Sequence, residues 1–300
     1  MRRPGVMPLV LCGLAACTFE PAGGAGNLLD AAHADGRADA DSEPDGPAHL
    51  LLSEIKSGPN DLEFIEIFNP TCAEVDLSTY YLTDEPTYGL LPGWGSPAPP
   101  PGFANAVVRF PAGASLPSGA AAVVARNGVE FETAFGVPAH FALVETGSST
   151  AMLFIAYHPS QDMIIANAGD PVILFEWDAE QDLVRDVDIA IAGPAPTADR
   201  ELQPKHELAP SGVDGPDTDD VATLYRSDSV AIPAMLAQDA EGSYERIAFE
   251  GGFEAASGGN GAEGHDETSE DTRNTWEQEP DTTPTPGAVP ASLAVSCVGP

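Results

Sequence analysis

From residue 49 to residue 191 the chain repeats one pattern: short runs rich in Leu, Ile, Val and aromatic residues, each bounded by clusters of Gly, Pro, Asn or Asp. Such runs read as strands. β-Branched and aromatic side chains suit a pleated, half-buried surface, and the bounding residues supply turn conformations. The predicted strands cover residues 50–56, 62–68, 75–83, 106–110, 120–126, 151–156, 171–177 and 183–191. No stretch sustains a 3.6-residue apolar period, and only residues 129–135 and 233–238 hint at a helical turn. An all-β fold follows, an antiparallel sandwich or barrel. Residues 91–103, with the run PGWGSPAPPPGF, and most of 194–220 are long for hairpin connections, so binding loops are expected there.

The N-terminus carries an address. Met1-Arg2-Arg3 precedes an apolar run from Val6 to Leu14 and then Ala15-Ala16-Cys17, which is a basic region, a short hydrophobic region and a small-residue cleavage site. Leu14-Ala15-Ala16-Cys17 resembles the lipobox of bacterial lipoproteins. The resemblance implies a signal peptide over residues 1–16 and acylation of Cys17, with several acyl chains giving a durable membrane anchor. Thr18, rather than Asp, implies the outer membrane. The alternative is an ordinary secretory signal and a secreted protein. Residues 17–47 are rich in Ala, Gly, Asp and Pro and bury too little apolar surface to order themselves, so they read as an acidic tether.

Twelve Lys and Arg stand against 47 Asp and Glu, a formal charge of −35, and loss of Arg2 and Arg3 with the leader deepens it to −37. Nucleic acid is excluded as a partner, because phosphate binding needs clustered cations to release counterions. The apolar fraction of 43% still supports a packed core. Of four cysteines, Cys12 and Cys17 belong to the leader and the anchor, leaving Cys72 and Cys297. An even pair outside the cytosol is expected to form a disulfide.

Glu63-Phe64-Ile65-Glu66-Ile67-Phe68-Asn69-Pro70, followed by Val75-Asp76-Leu77-Ser78-Thr79-Tyr80-Tyr81-Leu82-Thr83-Asp84, resembles the opening of the lamin-tail domain family. The series continues through Phe110-Pro111-Ala112-Gly113, Leu116-Pro117-Ser118-Gly119, Asn167-Ala168-Gly169-Asp170-Pro171-Val172-Ile173-Leu174, Trp276 and Thr285-Pro286-Gly287-Ala288. Thr79-Tyr80 replaces the family's usual Gly-Trp. The resemblance implies an immunoglobulin-like β-sandwich over residues 48–290, interrupted by an insert at about 178–245 and followed by a tail at 291–300. It also implies a secreted or surface module used for attachment or recognition rather than catalysis.

Two acidic clusters are candidates for calcium, whose sites are built from oxygen ligands. One is Asp214, Asp217, Asp219 and Asp220; the other is a loop folding around a cation with Asp266, Glu267 and Asp271. Both also read as solvated turns. Gly259-Asn260-Gly261-Ala262-Glu263-Gly264 matches G-x-G-x-x-G in form only, since no strand leads in and the surrounding acids would repel a pyrophosphate. Catalytic templates are missing: there is no G-x-S-x-G, H-E-x-x-H or Walker A run, His140, His158, His206 and His265 are scattered, and Glu63 and Glu66 point to opposite faces of a strand. The expected protein is a lipid-anchored envelope or surface protein whose sandwich binds or scaffolds a protein or surface polymer without catalysis. A calcium-stabilised adhesin or matrix component and a secreted hydrolase built on the same sandwich are the alternatives.

Overall fold

The computed structural model describes residues 48–95, 105–157, 169–192, 202–228, 242–251, 253–254, 256, 258–278 and 283–297. The leader, Cys17, the tether, His158 and the helical hint at 233–238 lie outside the described residues, as does most of the proline-rich run.

Thirteen strands are described: β1 (Leu51–Lys56), β2 (Phe64–Phe68), β3 (Val75–Asp76), β4 (Tyr80–Thr83), β5 (Ala106–Arg109), β6 (Ser115–Leu116), β7 (Ala121–Asn127), β8 (Phe141–Val144), β9 (Thr150–Ala151), β10 (Leu153–Tyr157), β11 (Asp170–Glu176), β12 (Arg185–Ala192) and β13 (Tyr244–Glu245). They form a six-stranded sheet in the order β13-β1-β2-β7-β8-β9, a five-stranded sheet in the order β10-β5-β4-β11-β12, and the short pair β3-β6. This is the expected all-β sandwich, and most of its pairings are antiparallel.

One corner departs from the antiparallel expectation: β8 pairs parallel with β7 and β9 parallel with β8. The cause is the helix α1 (Gly128–Phe135), which turns the chain back so that it re-enters the sheet in the same direction. Asn127 starts α1 by accepting the amides of Val129 and Glu130, and Gly136 ends it at φ 75°, a left-handed conformation that glycine adopts without strain. The predicted strand at 75–83 is broken in two, because Asp76 Oδ1 accepts the Ser78 amide at 2.8 Å and closes a local turn.

The central strands read as nearly continuous apolar runs because both of their faces are covered, whereas β10 leaves Leu153, Ile155 and Tyr157 exposed. Between the sheets lie Ile65, Ile67, Leu82, Val108, Val124, Val172, Leu174 and Trp276. On the far side of the first sheet Phe64 packs edge-on against Phe131 and Phe135 of α1, with ring centroids 5.7 and 5.8 Å apart. The far side of the second sheet carries Tyr81, Ile173, Phe175 and Ile189, covered by Tyr88 and Leu91 and by Leu202, Ala209, Val213 and Tyr225 from the insert. The insert is thus part of the packing: β12 lies within it as an edge strand, and residues 202–225 roof the sheet.

The C-terminal residues strap the first sheet. Glu66 of β2 accepts the Ser53 hydroxyl at 2.7 Å and the Gly287 amide at 2.5 Å, and Glu54 of β1 accepts the Ser243 hydroxyl and the Thr285 amide. The strap ends in the expected Cys72–Cys297 disulfide, with Cα atoms 5.3 Å apart.

Candidate metal centre

Where β1 of the first sheet approaches the edge strand β12 of the second, residues 246–278 bring a dense set of ionisable groups to the junction. Leu52 of β1 pairs with Ile67 of β2, and a register shift follows it before Glu54. The Leu52 amide donates to Asp188 Oδ2 of β12 at 2.6 Å, and its carbonyl accepts from Arg246 Nε at 2.7 Å. Arg246 is fully buried. Its Nη2 meets Asp188 at 2.6 Å, its Nη1 meets Glu270 at 2.7 Å, and its guanidinium lies over the Trp276 ring at 4.9 Å. One chain-borne cation therefore ties both sheets to the C-terminal segment, in a setting where unpaired charge is costly.

Arg246 does not exhaust the acids. Glu250, Glu254, His265 and Glu267 each present one ligand atom, and these atoms all lie within 4.8 Å of one another. Glu267 is 1% exposed, and neither of its carboxylate oxygens has a hydrogen-bond partner among the described residues. Glu250 stands between the two groups, with Oε1 3.6 Å from Arg246 and Oε2 3.2 Å from His49 Nε2. His265 Nδ1 is 2.9 Å from Glu254 Oε1, and the His49 and His265 rings meet edge-on at 5.6 Å. The Glu254 and His265 side chains are 14% and 38% exposed, so the centre is sealed at Glu250 and Glu267 and reachable at His265.

Burial sets the titration. It pushes Glu267 well above the usual carboxylate range, with the neighbouring charge of Glu250 adding to the effect. Glu250 is pushed up to about 8 by burial, against the pull of Arg246. Burial lowers His49 to about 4, so its imidazole is neutral at pH 7.

The glycines of the 258–264 run make the centre possible. A Cβ on Gly261 would lie 2.7 Å from the His265 carbonyl and 2.9 Å from Glu267 Oε1, and one on Gly259 would lie 2.8 Å from Asp266 Cα. The loop closes on itself through the Gly258 amide to the Gly264 carbonyl at 2.8 Å and the Gly261 amide to the His265 carbonyl at 3.0 Å. It docks on the edge of β12 through the Asp186 amide to the Asn260 carbonyl at 3.1 Å. The run serves close packing, consistent with the reading that its G-x-G-x-x-G form cradles no pyrophosphate.

Of the three residues expected to hold a cation here, Glu267 alone belongs to the group. Asp266 accepts the Thr268 hydroxyl, and Asp271 caps the helix α3 (Thr272–Thr275) while holding Arg273. In the other acidic cluster the structure brings Asp214 and Asp217 together with Asp182, without Asp219 or Asp220. Those carboxylates are spent on turns: Asp182 accepts the Gly215 amide and the Thr223 hydroxyl, Asp217 accepts the Asp219 amide, and Asp219 accepts the Val221 amide. His140 accepts the Val123 amide, and His206 Nδ1 that of Asp228. The sequence reading missed His49, Glu250, Glu254 and His265 as a unit. Its available signal was a pair of glutamates four apart, followed by a histidine and a further glutamate within one glycine-rich segment.

The chain has no match among the curated proteins compared. Among solved structures it is similar to a DUF4876 family protein from Bacteroides thetaiotaomicron, at 13% identity and a TM-score of 0.41, over 81% of this chain and 72% of that one. The lamin tail domain family model matches residues 43–189. That stretch runs from just before β1 into β12, whereas Trp276 and Thr285 to Ala288 lie beyond it. Residues 43–189 supply every described strand except β13 and the last three residues of β12, so the match to the lamin tail domain family covers most of the sandwich.

Proposed function

We propose that this is a lipid-anchored envelope protein of the outer membrane, whose lamin tail sandwich serves as a non-catalytic binding or scaffolding module for a protein or surface polymer. The observation that carries the reading is the order of the parts: a basic start, an apolar run ending at Cys17, an acidic stretch to residue 47, and only then the first strand. A module held away from a membrane by a self-repelling tether is placed to meet partners outside. Long connections support a recognition role on loops and edges, since the central strands of both sheets are covered within the chain.

The test is fractionation of the native protein and of Cys17→Ser, with and without inhibition of lipoprotein signal peptidase. The anchored reading expects wild type in the detergent-soluble membrane fraction, and both Cys17→Ser and the inhibitor blocking maturation. Processing that ignores both treatments overturns it. Pull-down of the anchored protein from its native envelope then identifies the partner.

A further inference from the structure

We propose that Glu250, Glu254, His265 and Glu267 bind one divalent first-row transition metal, with Zn²⁺ the ion that best suits the donor set. The proposal rests first on Glu267, a buried carboxylate whose two oxygens find no donor among the described residues. Burying such a group unpaired is expensive, and natural structures offset it with a hydrogen bond, an ion pair or a metal. Arg246, the buried cation of this junction, is committed elsewhere. Arg246 spends its donors on Leu52, Asp188 and Glu270 and reaches only the far oxygen of Glu250. Around the two overlapping groups, Asp188, Glu250, Glu254, Glu267 and Glu270 face one guanidinium, leaving four formal negative charges. A divalent ion halves that excess.

The donor types choose among ions. Calcium takes six to eight oxygens and has no use for imidazole, whereas a mixed imidazole and carboxylate set suits zinc and its neighbours. Ligand atoms around a tetrahedral zinc stand roughly 3.3 Å apart, given bonds of about 2.0–2.1 Å. A set already gathered within 4.8 Å needs only side-chain adjustment to reach that spacing. His49 faces Glu250 from behind, as outer histidines and carboxylates orient metal ligands elsewhere, and is a positioning residue. The exposed edge of His265 gives the ion a way in. The bound ion would pin the glycine-rich loop to the junction of the two sheets.

The experiment uses the full chain, extracted in detergent, stripped with EDTA and desalted, with circular dichroism as the check on folding. It is titrated with Zn²⁺, and in parallel with Ca²⁺ and Mg²⁺. The expected result is one zinc per chain retained through desalting, and a melting temperature raised by about 5–10 °C in excess zinc. Calcium and magnesium at the same concentration leave the melting temperature unchanged. His265→Ala and Glu267→Gln each weaken zinc binding about 100-fold, and His49→Ala about 10-fold. Glu267→Gln without metal melts no lower than stripped wild type, because it removes a buried unpaired carboxyl group while abolishing the response to zinc. Should a variant not fold, visible absorption of the Co²⁺-loaded wild type reports the nitrogen and oxygen ligands directly. A folded, stripped chain that retains no zinc, zinc binding unchanged in both ligand variants, a calcium shift equal to that of zinc, or a Co²⁺ spectrum of the free aquo ion each overturns the proposal. The outcome is independent of the envelope reading, since an unanchored chain would retain zinc equally well.

Discussion

Two buried ionic clusters flank β12, and they balance their charges differently. On the outer face of the second sheet, Lys205 of the short helix α2 (Lys205–Leu208) reaches Asp186 at 2.5 Å, Asp228 at 2.8 Å and the Tyr88 hydroxyl at 3.2 Å. One cation there meets two carboxylates and a phenol, and Gly89 leaves room for its stem: a Cβ at that position would lie 2.8 Å from Lys205 Cγ. On the other side Arg246 meets three carboxylates, and two more lie just beyond it. Asp186 and Asp188 are alternate residues of the same strand, yet one sits in a nearly closed set and the other beside an acidic excess. The contrast teaches that density of acids is a poor guide to a site. What matters is whether the fold brings its own cation to all of them.

The largest expected effect comes from removing the cation that serves most acids. Arg246→Met should destabilise the protein by roughly 4–5 kcal/mol in urea unfolding, because it strands buried Asp188 and Glu270 and cuts the tie to Leu52. Lys205→Met should cost about 3 kcal/mol, less because the Tyr88 hydroxyl still donates to Asp186 at 2.5 Å. If the two variants are equally destabilised, the clusters are equivalent and the contrast fails. Reducing Cys72–Cys297, which closes a sequence separation of 225, should cost about 2–4 kcal/mol and leave near-ultraviolet signals from Trp276 native-like before global unfolding. Such a result would separate the covalent fastening of the C-terminal strap from the ionic fastening of residues 246–278.

The remaining effect is one of slope. Burial raises Glu54 from its ordinary value of 4.5 to about 8, even though Ser243 and Thr285 donate to it. The folded chain then holds a proton that the unfolded chain releases, so this contribution to stability is complete below about pH 4.5 and lost as pH rises through about 8. Its slope is at most about 1.4 kcal/mol per pH unit. Glu54→Gln should flatten that segment of the stability profile, measured as urea midpoints from pH 5 to 9. An unchanged slope would show that Glu54 does not carry this pH dependence and would remove the strap from its account.

Much of the sandwich was legible from local signals. Residues 62–68 announce β2 through aromatic and β-branched density and the stop at Asn69-Pro70, and α1 was glimpsed at 129–135. The parallel return at β8 was not legible, because Phe141–Val144 is four residues long and its direction depends on where α1 delivers the chain. The fractured strand at 75–83 turned on a single carboxylate, Asp76, choosing a nearby amide. For the centre, the glycine-rich acidic segment was recognised as a place for a cation, and Glu267 was named. Asp266 and Asp271 have the same chemistry on paper, yet one is taken by Thr268 and the other by a helix start. His49 and Glu250, 201 residues apart, carry no common local signal at all.

Short-range physics therefore determined the strands, the turns, the acidic connections and the pairing of the two remaining cysteines, because each depends on side-chain shape, backbone preference or simple counting within a few residues or a compartment. Tertiary structure decided which of the 47 acids became a site. Desolvation and the reach of one arginine act only after distant segments meet at the junction of β1 and β12, and no reading along the chain can weigh a charge before its neighbours have arrived.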